Sequence, residues 1–506
     1  MEERPLTCRL VNLATIIDAH PADDVALISR GQTTSYGTLR DQVAALRGGL
    51  AGLGLEPGDR LAILAGNNWY FVVSYLAALG AGLVAVPLNP QAPAPELTYQ
   101  LATTGARAVV VSPAASSSFE AIDRAEVPAL EVVIETVGVE LPDAVVLDDL
   151  LATPPGPLVE RDPDDLAVLM FTSGTAGAPR AAMLSHGNLM ANLDQVQSAS
   201  TRRQDGDDVV FGLLPLFHIF GLNVMLDLSL LAGSSVLLIE RFDPSSAIEA
   251  VERHEVTMMS GPPTMWSALA ALGDVAGSMR SVRVAVSGAA KLPAEVVAAA
   301  RERPGVALTE GYGLTETSPV VTSATGTDAP VGSIGPVLPG VEMRLVDPEG
   351  EDVLVGDAGE IWVRGPNVFQ GYWNDPDATR MALTDDGWLR TGDIGVVDDD
   401  GFVFLVDRAK DLIIVSGFNV YPAEVEDVLA EHPAVERAAV VGVPHPHTGE
   451  AVKAYVVLEP GVSAEEDDII AFCTERLARY KCPSKVMFVD QLPSNPAGKV
   501  LRRALR

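Results

Sequence analysis

The sequence has few cysteines and few basic residues. Only three of its 506 residues are cysteine, Cys8, Cys473 and Cys482, and no pair has the spacing of a zinc site or a CxxC redox motif. Lys and Arg total 35 against 68 Asp and Glu, a formal net charge of −33 that would repel a phosphate backbone. These deficits disfavour a cysteine-based metal protein and a nucleic-acid-binding protein, and they favour a reducing compartment.

The sequence also shows neither an export-signal pattern nor a membrane-span pattern. Its first ten residues, MEERPLTCRL, lack a basic stretch followed by an apolar core. The uncharged segment 69–88 is divided by Gly80, Gly82 and Pro87, so it predicts a buried helix followed by a strand. We expect a cytoplasmic protein without a transmembrane segment. Peripheral association with a membrane, and an oligomeric state such as a homodimer, are left open.

Length and hydrophobic patterning predict an α/β protein of several domains. A chain of this length is too long for one hydrophobic core. Uniformly apolar runs such as RLAILAG and SSVLLIE alternate with Ala-rich helical segments through the first 340 residues, which is typical of buried parallel strands. We predict a large N-terminal domain over 1–409, β-rich at about 341–409, and a small α+β domain over 410–506.

The segment 171–189, FTSGTAGAPRAAMLSHGNL, predicts a phosphate-binding loop. A buried strand leads into small residues that let backbone amides approach a phosphate, and the hydroxyls of Thr172, Ser173 and Thr175 add donors. The Walker A pattern is not satisfied. An ordinary Ser/Thr/Gly hairpin is the alternative when this loop is taken alone.

Five further motifs follow in order along the chain. They are LPLFHIFGL (214–222), EGYGLTET (310–317), WLRTGD (388–393), DRAKDLIIVSGFNVYPAEVE (407–426) and PSNPAGKVLRR (493–503). With the loop, they resemble the adenylate-forming superfamily of acyl- and aryl-CoA ligases, nonribosomal adenylation domains and luciferase, and most of all a bacterial fatty-acyl-CoA ligase. The resemblance covers nearly the whole chain. It implies an enzyme that uses ATP, Mg²⁺ and coenzyme A, with a small mobile C-terminal domain.

The resemblance implies a role for each nucleotide-site residue. Tyr312 would stack on adenine, Glu316 would ligate Mg²⁺ with Thr315 beside it, and Asp393 would accept hydrogen bonds from the ribose. Arg408 would donate to the same sugar or to phosphate. The other residues implied to bind ATP or coenzyme A are Thr172, Ser173, Gly174, Thr175, Ala176, Gly177, Arg180, Ala289, Glu310, Gly311, Gly313, Gly417, Phe418 and Lys499.

The catalytic residues that the resemblance implies are Lys499, Glu316, His218 and Thr172. Lys499 would bridge the attacking carboxylate and the α-phosphate during adenylate formation. Lys410 matches the hinge about which the small domain swings, bringing Gly417 and Phe418 beside the pantetheine arm. His218 would lie at the mouth of the acyl site and orient the carboxylate or the thiol.

Three positions depart from the family pattern, and one histidine is interpreted as structural. Arg180 replaces a common lysine and presents a planar fork instead of a point charge. Ala176 replaces a common threonine, and Glu310 stands where an amide or small polar residue is usual. His186, in LSHGNL, matches a structural position of the family.

By the same resemblance, the acyl pocket lies near residues 217–225, 261–265, 287–292 and 314–320. These segments are apolar and contain small residues, which suits an alkyl chain. A medium- or long-chain fatty acid is therefore the first choice and an aryl or cinnamate-type acid the second.

Three other functions compete with this one. A fatty acyl-AMP ligase that loads a carrier protein would carry an insertion near Lys410, and the sequence shows none there. A luciferase-type monooxygenase shares every motif, but no luciferin-specific contact is evident. A non-enzymatic binding module would have no evident use for both Glu316 and Lys499.

Overall fold

The computed structural model describes residues 12–172, 179–199, 204–273, 277–288, 308–330, 332–408, 411–415, 418–446, 448–494 and 500–505. Its α-helices are Tyr36–Gly52, Trp69–Gly80, Ala94–Thr104, Ser116–Glu120, Leu147–Leu150, His186–Ala199, Leu228–Ala232, Pro244–Arg253, Pro263–Ala270, Pro376–Ala382, Pro422–Ala430 and Glu466–Thr474. A π-helix spans Phe220–Asp227. Short 3₁₀ helices span Leu13–Ile17, Arg124–Glu126, Thr315–Thr317, Arg479–Lys481 and Arg502–Ala504.

The described strands are numbered β1 to β24 along the chain. They are β1 Val25–Ser29, β2 Gln32–Ser35, β3 Arg60–Leu64, β4 Val84–Pro87, β5 Ala108–Val111, β6 Val132–Glu135, β7 Val145–Val146, β8 Leu166–Thr172, β9 Arg180–Ser185, β10 Val209–Gly212, β11 Ser235–Leu238, β12 Met258–Gly261, β13 Val284–Ser287, β14 Leu308–Gly313, β15 Val320–Ser323, β16 Glu342–Val346, β17 Ala358–Arg364, β18 Leu389–Val397, β19 Val403–Arg408, β20 Ile413–Val415, β21 Phe418–Val420, β22 Val435–His445, β23 Gly449–Leu458 and β24 Lys485–Phe488.

Two large, mostly parallel sheets form the N-terminal part of the chain. A seven-stranded sheet has the order β7-β6-β5-β3-β4-β8-β9, and an eight-stranded sheet has the order β15-β14-β13-β12-β10-β11-β1-β2. Antiparallel pairs occur where β8 meets β9, β14 meets β15 and β1 meets β2. The apolar runs interpreted as strands form β3 and β11, which confirms the predicted α/β class.

The uncharged segment 69–88 folds as a helix and a strand. The helix Trp69–Gly80 begins at Asn68, whose side chain accepts a hydrogen bond from the Phe71 amide. The chain then turns through Gly82 at a φ of +75° and continues as β4, which is buried along its whole length. In the part of the chain that the structure describes, no helix is both long and apolar enough to cross a membrane.

Two smaller sheets follow in the chain. An antiparallel sheet has the order β16-β17-β18-β19. Along β17, buried residues alternate with residues that are exposed or half-buried, as expected for a sheet with one packed face. The C-terminal sheet has the order β21-β20-β23-β22, with β24 parallel to β23. It packs on a separate core that includes Val425, Val440 and Ile469. The predicted domain boundary near Lys410 lies outside the described residues and stays a prediction.

Candidate active site

A cavity of about 1140 Å³ brings residues of distant motifs together. Parallel strands of the eight-stranded sheet point their carboxyl ends toward it, the usual position of a ligand site in an α/β fold. The predicted site residues that line it are Thr172, Arg180, His218, Gly311, Tyr312, Gly313, Thr315, Glu316 and Asp393. Ser494 and Leu501, which flank the segment 495–499, also line it. Five of the six motifs therefore contribute to one cavity.

The Tyr312 hydroxyl donates a hydrogen bond to Asp393 Oδ2 at 2.8 Å, and both side chains are buried. Asp393 follows Gly392 within β18, where Gly392 has a φ of +69° and the pairing with β17 shifts its register. The Gly392 amide donates to Glu360 Oε1 at 2.9 Å, and the Asp393 amide donates to Thr391 Oγ1 at 3.1 Å. These bonds place a carboxylate at the cavity wall beside the ring of Tyr312, a suitable arrangement for binding sugar hydroxyls next to a planar base.

The side chain of Glu316 is hydrogen-bonded by Tyr372. The Tyr372 hydroxyl donates to Glu316 Oε1 at 2.7 Å. Burial and the adjacent carboxylate raise the pKa of Tyr372, so the phenol stays protonated and remains a donor. A single carboxylate facing a cavity is the kind of ligand that Mg²⁺ uses together with phosphate oxygens. In the described ranges, no cluster of three or more His, Cys, Asp or Glu side chains could hold a metal.

Arg180 is fixed at the rim of the cavity by two contacts. Its Nε donates to Asp375 Oδ2 at 3.1 Å, and its Cζ lies 5.6 Å from the centre of the Tyr372 ring. Tyr372 therefore contacts both the predicted magnesium ligand, Glu316, and the cation that follows the predicted phosphate-binding loop, Arg180. Sequence reasoning missed Tyr372 and Asp375. The available signal was an aromatic pair after Gly371 in a polar loop, because loop residues often carry function.

Three buried asparagines hold the backbone that carries Glu316, and sequence reasoning missed them too. Asn223 Nδ2 donates to the Ser318 carbonyl at 2.6 Å, Asn192 Nδ2 to the Val320 carbonyl at 2.8 Å, and Asn367 Nδ2 to the Thr317 carbonyl at 2.8 Å. Each asparagine is completely buried. Asn223 lies in a largely apolar helix, and a polar residue there is a signal of such a role, because buried amides need hydrogen-bond partners.

The two motif histidines have different surroundings. His218 lines the cavity, and its Nδ1 accepts a hydrogen bond from the Phe220 amide at 3.3 Å. His186 is completely buried, and its Nδ1 accepts from the Leu13 amide at 3.1 Å. Burial lowers the pKa of His186 to about 4, so the ring is neutral. His186 therefore supports the local packing, as expected.

Beyond His218 the cavity continues as an apolar channel. On its sheet side, Met258 and Ser260 of β12 and Val284 and Val286 of β13 line it. They alternate along their strands with residues that pack on the opposite face, such as Met259 and Ala285. The helical side of the channel is formed by Val196, Ala199, Val224, Met225 and Leu228.

Other predicted site residues are placed only in part or not at all. Glu310 is described, but it is not among the residues that line the cavity, although Gly311 beside it is. The backbone of Arg408 in β19 lies opposite Asp393 in β18. For Arg408, and for Phe418 in β21, the structure describes only the backbone. The predicted residues outside the described ranges are Ser173, Gly174, Thr175, Ala176, Gly177, Ala289, Gly417 and Lys499, together with the hinge residue Lys410.

Comparison with known proteins gives the family. Residues 13–373 match the model of the AMP-binding enzyme family, and residues 424–499 match the model of its C-terminal domain. The chain belongs to the AMP-binding enzyme family. This confirms the predicted class, an AMP-forming acid–thiol ligase.

Individual relatives cover nearly the full length. The chain is 38% identical over 482 residues to a feruloyl-CoA synthase of Amycolatopsis, covering 94% of each chain. It is 36% identical over 532 residues to a long-chain-fatty-acid–CoA ligase of Escherichia coli O157:H7, covering 96% of this chain and 92% of the relative. The crystal structure of ATP-bound MatB from Rhodopseudomonas palustris is similar, with a TM-score of 0.89, 36% identity and 98% coverage of both chains.

Proposed function

We propose that the protein activates a medium- or long-chain fatty acid with ATP and transfers the acyl group to coenzyme A. The observation that carries this proposal is one cavity that has a Tyr312–Asp393 pair and Glu316 at one end and an apolar channel at the other. A nucleotide and an acyl chain bound there would meet beside His218. Similarity to acyl-CoA ligases supports the same reaction.

In the first step, a carboxylate oxygen of the acid attacks the α-phosphorus of ATP. The bond to the bridging oxygen breaks, and pyrophosphate leaves with its electron pair. Asp393 would hold the ribose, and Arg180, kept in place by Asp375, would bind phosphate oxygens. Lys499 would stabilise the charge that develops on the α-phosphate. The flanking residues Ser494 and Leu501 line the cavity, which supports this assignment.

Glu316 is proposed to bind Mg²⁺, with Thr315 beside it. Both line the cavity, and the chemistry fits because Mg²⁺ usually takes one or two carboxylates together with phosphate oxygens. When bound, the ion would neutralise phosphate charge. The Tyr372 hydroxyl would keep the carboxylate in one orientation.

In the second step, the sulfur of coenzyme A attacks the acyl carbon of the adenylate, and the bond to the AMP phosphate oxygen breaks. The small domain would swing about Lys410 so that Lys499 withdraws and Gly417 and Phe418 approach the thiol. His218 would orient the acyl carboxyl group at the entrance of the channel.

The apolar lining of the channel favours an alkyl chain. The channel follows β13 from Ser287 to Val284, roughly 10 Å at the rise of a parallel strand, and Val210 on β10 lies in the same row as Val284. An aryl acid is the second candidate, because the chain is similar to a feruloyl-CoA synthase as well as to fatty-acid ligases.

The test is end-point mass spectrometry of the purified protein with ATP, Mg²⁺ and a panel of fatty, aryl and short acids, with and without coenzyme A. We expect acyl-CoA and AMP only with coenzyme A. Both should be lost in Lys499→Ala but retained in Lys485→Ala, an exposed lysine on β24. Acyl-adenylate accumulating equally in both arms would contradict the coenzyme A step and indicate a carrier protein as acceptor.

A further inference from the structure

A polar side chain lines the apolar channel on the amino-end side of the eight-stranded sheet. Gln204 is only 8% exposed, and it lines the cavity. Its neighbours in the lining are the apolar Val210 and Met258 and the polar Gln197, whose Nε2 donates to the Gln204 backbone carbonyl at 3.2 Å. A buried amide in such surroundings is costly unless its donors and its acceptor are all used.

Hydrogen bonds to two serines determine which way the amide faces. Gln204 Nε2 lies 2.9 Å from Ser229 Oγ and 3.2 Å from Ser234 Oγ. Ser234 donates its own proton to the Asp205 carbonyl at 2.6 Å, and Ser229 donates to the Met225 carbonyl. Each serine therefore has only acceptor capacity left for Gln204, so the NH₂ group must face the serines. Within the described ranges, Gln204 Oε1 makes no hydrogen bond.

The position of Gln204 is opposite to that of the reacting groups. Val210, Met258 and Val284 form one row across β10, β12 and β13 near the amino ends of these parallel strands. Gln204 precedes β10 and is tied to Ser234, directly before β11, so it lies at this same end. Glu316 and His218 belong to the carboxyl-end side of the sheet. An acid bound by its carboxylate near His218 would therefore reach Gln204 with its distal end.

We infer that Gln204 Oε1 is a specificity-determining acceptor for a hydroxyl group at the distal end of the substrate. This inference rests on the proposed function and deepens it by naming the substrate class: an acid whose apolar body carries a terminal hydroxyl. An ω-hydroxyalkanoic acid and a para-hydroxylated aryl acid both supply this chemistry. An unsubstituted body of the same length would leave the acceptor unpaired.

The experiment measures kcat/KM for acyl-CoA formation with two matched substrate pairs. One pair is an alkanoic acid and its ω-hydroxy form, and the other is cinnamate and 4-hydroxycinnamate. Wild type, Gln204→Leu and Met259→Leu are compared. The last variant changes a buried residue of β12 that packs on the face opposite the channel, at nearly constant volume. We expect wild type and Met259→Leu to favour the hydroxylated member of at least one pair about tenfold, the effect of one hydrogen bond. Gln204→Leu should remove that preference.

The substrate pair in which the hydroxylated acid is preferred shows whether the hydroxyl belongs to an alkyl or an aryl acid. Equal rates within both wild-type pairs, or a preference for the unsubstituted acids, would overturn the inference even if Gln204→Leu does not fold. A preference that survives in a folded Gln204→Leu would also overturn it. The absence of acyl-CoA from every acid would instead contradict the proposed function, so the two failures are distinguishable.

Discussion

Tyr312 and Asp393, 81 positions apart in sequence, meet through a 2.8 Å hydrogen bond that joins β14 to β18 at the cavity wall. The bond holds the carboxylate that we propose for ribose binding next to the ring that we propose for adenine stacking. Hydrogen bonds to charged groups contribute about 1.5 to 3 kcal/mol.

The first prediction concerns this bond. Tyr312→Phe keeps the ring and removes the donor, so we expect the KM for ATP to rise about tenfold or more, with a smaller change in kcat. Tyr36→Phe is the matched control, because Tyr36 is buried and donates to the Ser234 carbonyl at 2.8 Å outside the cavity lining. An equal rise in both variants would mean that general destabilisation is the cause.

The second prediction concerns the Tyr372 hydroxyl. Tyr372→Phe removes the hydroxyl that donates to Glu316 Oε1 at 2.7 Å. We expect the Mg²⁺ concentration for half-maximal activity to rise about tenfold, in the range seen when groups that orient metal ligands are removed. The measurement is a Mg²⁺ titration of AMP formation at saturating acid and ATP. An unchanged Mg²⁺ requirement together with a lower melting temperature would mean that Tyr372 contributes to packing and does not orient Glu316.

The third prediction concerns the C-terminal segment next to Lys499. Arg502 forms two hydrogen bonds with Glu426, at 2.6 and 3.2 Å, and lies 3.6 Å from Asp411. Ser494 pairs with Val500. We propose that the contacts of Arg502 support Lys499 during adenylate formation, the step in which Lys499 is proposed to act.

Arg502→Met should therefore slow adenylate formation about tenfold or more and leave thioester formation from supplied acyl-adenylate nearly unchanged. Pyrophosphate exchange and single-turnover thioester assays separate the two steps. Arg476→Met, which removes an exposed ion pair with Glu431 in the same part of the chain, is the control. Equal losses in both half-reactions would show that Arg502 acts only on folding.

The fourth prediction is a pH dependence of stability. The pKa of His186 is about 4 in the folded protein against 6.5 for an ordinary histidine. Between these values the unfolded chain binds more protons, so stability is fully present above pH 6.5 and is lost as pH falls toward 4. The loss is of order 1.4 kcal/mol for each pH unit at most.

His186→Asn should lose less stability than wild type between pH 7 and 5 in urea unfolding. Parallel losses would contradict the shift.

Much of the fold was predictable because its signals are local. The uniformly apolar runs of β3 and β11 are buried on both faces, and the break at Gly82 separates helix from strand. The cavity was predictable in part, since Tyr312, Glu316 and Asp393 stand in motifs with a recognisable pattern. Tyr372 was not predictable in this way, because its contact with Glu316 depends on a loop 56 residues further along the chain.

The sequence by itself determined the α/β class, the family and the motifs that carry the chemistry, because strand periodicity and motif spacing are properties of neighbouring residues. Only the tertiary structure decided which side chains support those motifs. Asn192, Asn223 and Asn367 come from three segments and reach one stretch of backbone only after folding. The same holds for Gln204, which lines the apolar channel and is oriented by two serines from a neighbouring helix and turn that accept its protons.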